Sequence, residues 1–185
     1  MTLSFDRHIA EEAFAVLPLV ETNRQLADYW LSLWDGDALP VRKSFSPGAV
    51  RGHLPGLMIQ EVKPGASLIV RLCGTAISQA FGRDLTGCDL IALSPPETRA
   101  ERLERNSKVA EGAVGLATRR RENRLGVAVE SQELHLPLGD VTEDGARLVL
   151  LHTSWRPKNA QPGVPEILDV LRLADEFQII PLHRA

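Results

Sequence analysis

Polar and apolar positions change rhythm several times along the chain, and each rhythm predicts an element. Over residues 22–35, Leu26, Tyr29, Trp30, Leu33 and Trp34 recur at helical spacing and form one broad apolar stripe. Thr22 and Gln25 have the spacing of a capping box, and Gly36 suits a left-handed stop. The connector "ALPVRKSFSPGAVRGHLPG" holds a short helix, with Ser46 as N-cap, Pro47 in the first helical position and Pro55-Gly56 at its end. Two strand-like runs follow, "LMIQEV" (57–62) and "SLIVRLC" (67–73), joined by the turn "KPGA". They predict a hairpin with Leu68, Val70 and Leu72 on one face.

Helical spacing then returns. "TAISQAF" reads as a short helix that Gly82 can end at positive φ; Asp84 can cap the next turn, Thr86 can assist, and Gly87 ends it. A longer helix opens at Pro95-Pro96, with Ser94 and Glu97 as a second capping box. Ala100, Leu103, Ser107, Ala110 and Val114 give it one face of mostly small side chains. Leu116 to Arg121 is a candidate strand. In "LGVAVESQELHLPL" the apolar residues move from odd positions (Val127, Val129) to even ones (Leu134, Leu136, Leu138). A period of two cannot change parity without an extra residue, which predicts a bulge near Glu130 to Glu133 and puts His135 on the solvent face. "GDVTEDGA" reads as a hairpin loop. "RLVLLHTSW" is apolar on both faces, as a central strand should be. "PEILDVLRLADEF" places Ile167, Val170, Leu171, Ala174 and Phe177 on one helical face. These elements predict an α+β domain with a five-stranded antiparallel sheet.

Composition narrows the partners. The 185 residues suit one domain with flanking elements, and a net charge of −3 leaves no basic field for nucleic acid. No apolar run is long enough to span a membrane, and acids inside the N-terminal apolar segment make a poor signal peptide. Cys73 and Cys88 form no CxxC and no disulfide framework, and a reduced cytoplasmic setting is the expectation.

Chemistry-bearing patterns are sparse. "GTAISQAFGRDLTG" has neither P-loop nor dinucleotide spacing. The five histidines, His8, His53, His135, His152 and His183, make no zinc-binding motif, and there is no GxSxG elbow. The two cysteines, flanked by apolar residues, read as inert thiols, and "RRRENR" (119–124) as a solvated strand end.

Strand, strand, "CGTAISQAFGRDLTGCDL", helices and three further strands, taken together, resemble a PAS domain. More narrowly, the chain resembles a stand-alone PAS-like family common in alphaproteobacteria, over about residues 25–157. Trp30, Pro40, Arg42, Pro47, Leu54, Pro55, Arg71, Gly74, Thr75, Gly82, Asp84, Leu85, Thr86 and Gly87 carry the resemblance; Ser44 stands where the family commonly has an acid before Phe45. The resemblance implies a five-stranded antiparallel sheet with helices over one face, flanked by N- and C-terminal helices. It implies a helical extension at 1–36, a PAS-like domain at 37–157, and a linker with an amphipathic helix at 158–185. It implies a cavity between sheet and helices, for which Leu72, Ile77, Phe81, Leu85, Leu90, Leu103, Val114, Leu150 and His152 are the candidate lining. It also implies dimerisation through the N-terminal helix, with Leu26, Tyr29, Trp30, Leu33 and Trp34 as the interface. The flavin-adduct motif of photoreceptor PAS domains is missing, and the helix from Pro95 has no His for a haem iron, so both cofactors are disfavoured.

The expected function is a sensory or regulatory module that binds a small ligand or a signalling partner, with no output domain of its own. The alternative is a pure interaction module with a filled core. An enzyme of unknown reaction ranks third, because no catalytic constellation is visible.

Overall fold

The computed structural model describes residues 5–122, 128–157 and 176–183. Two helices come first, α1 (Arg7–Val16) and α2 (Glu21–Ser32). A connector with two 3-10 turns, Arg42–Ser44 and Leu54–Gly56, leads to the strands β1 (Leu57–Lys63) and β2 (Ser67–Cys73). The helices α3 (Thr75–Phe81), α4 (Leu90–Leu93) and α5 (Pro96–Ala110) follow, then β3 (Ala113–Glu122), β4 (Ala128–Val141), β5 (Arg147–Pro157) and β6 (Glu176–Pro181). All strand pairs are antiparallel, in the order β2-β1-β5-β4-β3-β6.

The α+β antiparallel architecture is the one expected, and β5 is central as its two apolar faces require. The sheet gains a sixth strand. Phe177, expected on a helix face, lies in β6 opposite Ala117 of β3; the rest of that expected helix, up to Ala174, falls outside the described residues. Helices cover both faces rather than one. On one face α1, α2 and the turn after it bury Phe14, Leu26, Trp30 and Trp34 against Leu116, Leu134, Leu136 and Leu150. On the other, Ile77, Leu85, Leu90 and Val109, from α3 to α5 and their linkers, pack on Met58, Val62, Val70 and Leu151.

Register explains several departures from the periodicity. Ile59 pairs with Leu72 but Gln60 with Val70, so a bulge at Arg71 turns Leu72 to the face opposite Leu68 and Val70. The bulge expected at 130–133 does not form. There β4 runs in register with both neighbours, and its irregularity lies between Pro137 and Val141. Ser131, Glu133 and His135 occupy the odd positions and are buried, so the parity change marks a polar buried face, not a break.

The expected capping boxes do not form either. Val20 is the N-cap of α2, Gln25 bonds Glu21, and Thr22 Oγ1 lies 2.5 Å from Ser154 Oγ on β5. Pro95 caps α5 without a side-chain bond, and Ser94 Oγ donates back to Leu90 O at 2.6 Å. The inward face of α5 is Arg102, Asn106, Val109 and Ala110. Ala100 is exposed, Leu103 and Ser107 are half-buried, and Val114 belongs to β3. The segment after Ser46 is a run of turns rather than a helix.

Candidate functional site

The corner after β2 positions one wall of the site. Gly74 lets the backbone pass Leu54, Pro55 and Leu57, since an added Cβ would stand 2.4 Å from Pro55 O. Gly82 ends α3 at φ 69°. Asp84 Oδ1 accepts from the amide and hydroxyl of Thr86 at 2.9 and 2.8 Å, and these bonds hold its carboxyl below the usual range. The chain then runs beside β2. Val70 N donates to Cys88 O, Gly87 N donates to Val70 O, and Asp89 Oδ1 accepts from Leu68 N and from Ile91 N.

Between this corner, α5 and the sheet lies a cavity of about 50 Å³. Its apolar lining includes Met58, Leu68, Ile77, Phe81, Leu90, Leu151, Trp155 and Phe177. Its polar lining is Gln60, Arg102, Arg105, Asn106, Arg119, Glu133, His135 and Thr153. The parity of β3 and β4 brings Arg119 onto Glu133 as a bidentate pair, Nε to Oε1 and Nη2 to Oε2, both at 2.9 Å. Burial opposes the Glu133 charge, but the guanidinium overcomes it and holds the carboxyl far below the usual range. Arg102 on α5 is 8% exposed, and burial, then repulsion from Arg119, lowers its pKa to about 10.

Several polar atoms here have no partner. Gln60 Oε1, Arg105 Nη1, Asn106 Oδ1 and both His135 ring nitrogens are buried without a hydrogen bond. His135 Nε2 stands 3.7 Å from Glu133 Oε2, beyond hydrogen-bond reach. Asn106 Nδ2 donates to Arg102 O and Gln60 Nε2 to Met58 Sδ. Arg105 binds Glu101 and stacks 5.1 Å over Phe177, whose ring also meets His135 at 5.3 Å. Three guanidinium groups and the Glu133 carboxylate thus line the cavity, with Arg105 also paired to Glu101 outside the lining.

The structure divides the candidate lining residues. Ile77, Phe81 and Leu90 line this cavity. Leu85 is buried in the same apolar cluster without reaching it, and Leu103 is only half-buried on α5. Leu72, Val114, Leu150 and His152 lie on the opposite face. His152 Nδ1 donates to Asn23 Oδ1 at 2.6 Å, and its ring meets His53 edge-on at 5.2 Å. Burial, with the nearby His53 charge, lowers its pKa to about 4. His135, expected on the solvent face, is 4% exposed in the polar cavity. Arg119, expected in a solvated run, is 6% exposed.

The aromatic stripe is occupied within the chain. Leu26, Trp30 and Trp34 are buried on the sheet, Tyr29 and Leu33 are half-buried, and Trp30 Nε1 donates to Pro137 O at 3.2 Å. A second copy could reach those buried side chains only after α2 undocked. Among the remaining motif residues, Arg71 pairs with Glu61 at 2.8 and 2.7 Å across the hairpin, Thr75 begins α3, and Gly87 sits at φ 83° in the turn. Arg42 lies in the connector, and its amide donates to Asp140 Oδ2.

Sequence reasoning missed Gln60, Arg102, Arg105, Asn106, Arg119, Glu133 and His135. A signal existed. Arg102, Asn106, Val109 and Ala110 share helical spacing, and Ser131, Glu133 and His135 alternate with leucines on β4.

An antiparallel sheet with a polar cavity beneath α3, α4 and α5 defines an α+β module. A family model described as PAS domain matches residues 19–151, most of the chain, and the protein belongs to that family. A comparison with curated proteins gives no match. Among the described residues, no helix is long and apolar enough to cross a membrane, and no cluster of His, Cys, Asp or Glu could hold a metal ion.

Proposed function

We propose that this PAS domain is a sensory or regulatory module that reads a small anion in the cavity beneath α5. One observation carries the reading: Arg105 Nη1 and the two His135 ring nitrogens are buried without partners on that void, beside the Arg119–Glu133 pair. Buried polar groups without partners are costly, and an anion that accepted from Arg105 Nη1 and from a His135 ring N–H would supply bonds that these two donors lack. The volume of about 50 Å³ accommodates a few water-sized atoms. A short carboxylate or inorganic oxyanion fits that space; a flavin or a haem, which needs a pocket of several hundred Å³, does not. Arg105 would grip the anion from α5, while Arg119 is held by Glu133 as a fixed positive wall. Ligand occupancy would draw α5 toward β3 and β4, and a partner reading the outer surface of α5 would sense the change.

Thermal unfolding at constant ionic strength tests this with formate, acetate, nitrate and phosphate, chloride serving as control. A saturable rise in Tm with one of these anions is expected, and Arg105→Gln should abolish it while the protein stays folded. If all four behave like chloride, the cavity holds only water and the reading fails.

A further inference from the structure

A second void, of about 170 Å³, lies on the other side of the sheet, away from the polar cavity. Its floor is Leu57 and Ile59 of β1 with Leu138 of β4 and Leu150 of β5, and the connector that carries Phe45 and Leu54 forms its wall. Leu57, Leu138 and Leu150 are 5%, 1% and 4% exposed, so the floor belongs to the core. Leu54 and Leu72 also line the void, yet each is 39% exposed, so the cleft opens to the surface through an apolar mouth. The bulge at Arg71 is what turns Leu72 to this mouth. A gap of this size forfeits dispersion contacts that close packing would otherwise supply.

Arg42 is the only charged residue in the lining. The neighbouring carboxylate, Asp140, accepts from the Arg42 backbone amide at 2.6 Å, and the Arg42 guanidinium makes no hydrogen bond or ion pair among the described residues. An apolar slot with one exposed guanidinium that makes no ion pair is complementary to an amphiphile with an acidic head. We infer that this cleft binds a medium-chain monocarboxylate, with its acyl tail over Leu57, Ile59 and Leu150 and its carboxylate on Arg42. An apolar cavity near 150 Å³ is known to take up benzene, which sets the tail at roughly six to ten carbons. This site is separate from the anion cavity, and neither reading depends on the other.

Sodium octanoate, kept below its micellar concentration, is the probe, titrated into the full chain and followed by methyl-resolved NMR. The expected result is saturable shifts centred on Leu57, Ile59, Leu72 and Leu150. Arg42→Gln should weaken binding about tenfold, the loss of one charge-assisted contact. Leu72→Trp and Leu54→Trp, which fill the mouth at exposed positions, should each abolish it with Tm unchanged, and Arg105→Gln should leave it intact. Octanol, with the same tail and no charge, should bind about tenfold more weakly. Shifts that do not saturate, binding that survives both Trp variants, or octanol or an apolar peptide binding as tightly as octanoate would overturn the assignment.

Discussion

Glu133 carries a charge in a place with almost no water, and the bidentate bond from Arg119 makes that tolerable. Glu133→Gln keeps the shape and removes the charge that the Arg119 guanidinium grips. A loss of about 3 kcal/mol is expected in urea unfolding. Replacing Glu133 and Arg119 together by leucine and methionine should recover much of it, because the buried cation leaves as well. His152 sets a pH dependence. Its pKa falls from 6.5 unfolded to about 4 folded, so the unfolded chain binds more protons across that interval. The contribution is complete above pH 6.5 and is lost as pH falls toward 4, by up to about 3 kcal/mol. Urea titrations of wild type and His152→Gln between those limits should show a shallower slope in the variant. Glu133 did not reveal its setting in the sequence. His135 and Glu133 alternate with leucines and look solvent-facing on a strand, because alternation does not distinguish water from a polar cavity lined by arginines.

At the scale of elements, α2 is held by both apolar area and a polar clasp. Asn23 Nδ2 donates to Gln132 Oε1 and O at 3.1 and 3.3 Å, its Oδ1 accepts from His152, and Val20 N donates to Gln132 Oε1 at 2.9 Å. Asn23→Ala should cost about 2 kcal/mol by calorimetry, because buried groups on two strands lose their partner. The β1-β2 hairpin was legible almost to the residue, since turn chemistry and strand runs agreed. So was α3 with its glycine stop. The α5 helix was legible in its start but not in its end, since Val114 belongs to β3, nor in its orientation. Its small residues suggested the buried face, whereas the cavity needs Arg102 and Asn106 turned inward. The two caps of Ser/Thr-x-x-Glu/Gln type failed because Thr22 is taken by Ser154 and Ser94 by Leu90.

Across the whole molecule, one sheet serves two helical layers. A division at residue 36 suits a helical extension on a separate domain, yet Trp30 and Leu26 share one core with Leu134 and Leu136. Removing residues 1–36 would strip that face to solvent. Expression of 37–185 should give a protein with poorly dispersed NMR signals and exposed apolar surface, rather than a free-standing PAS domain. A well-dispersed spectrum would show the layer to be dispensable.

Asp89 has a reach that its role as a helix cap hides. With Gly87 and Cys88 it occupies the outward hydrogen-bonding groups of β2, the last strand on that side of the sheet. An unguarded border strand is a template on which another chain can add, and repeated addition is the route to fibrils. Asp89→Ala should therefore shorten the lag before thioflavin-positive aggregates appear, by more than its modest effect on stability explains. In this protein a single carboxylate helps decide whether the sheet ends or keeps growing.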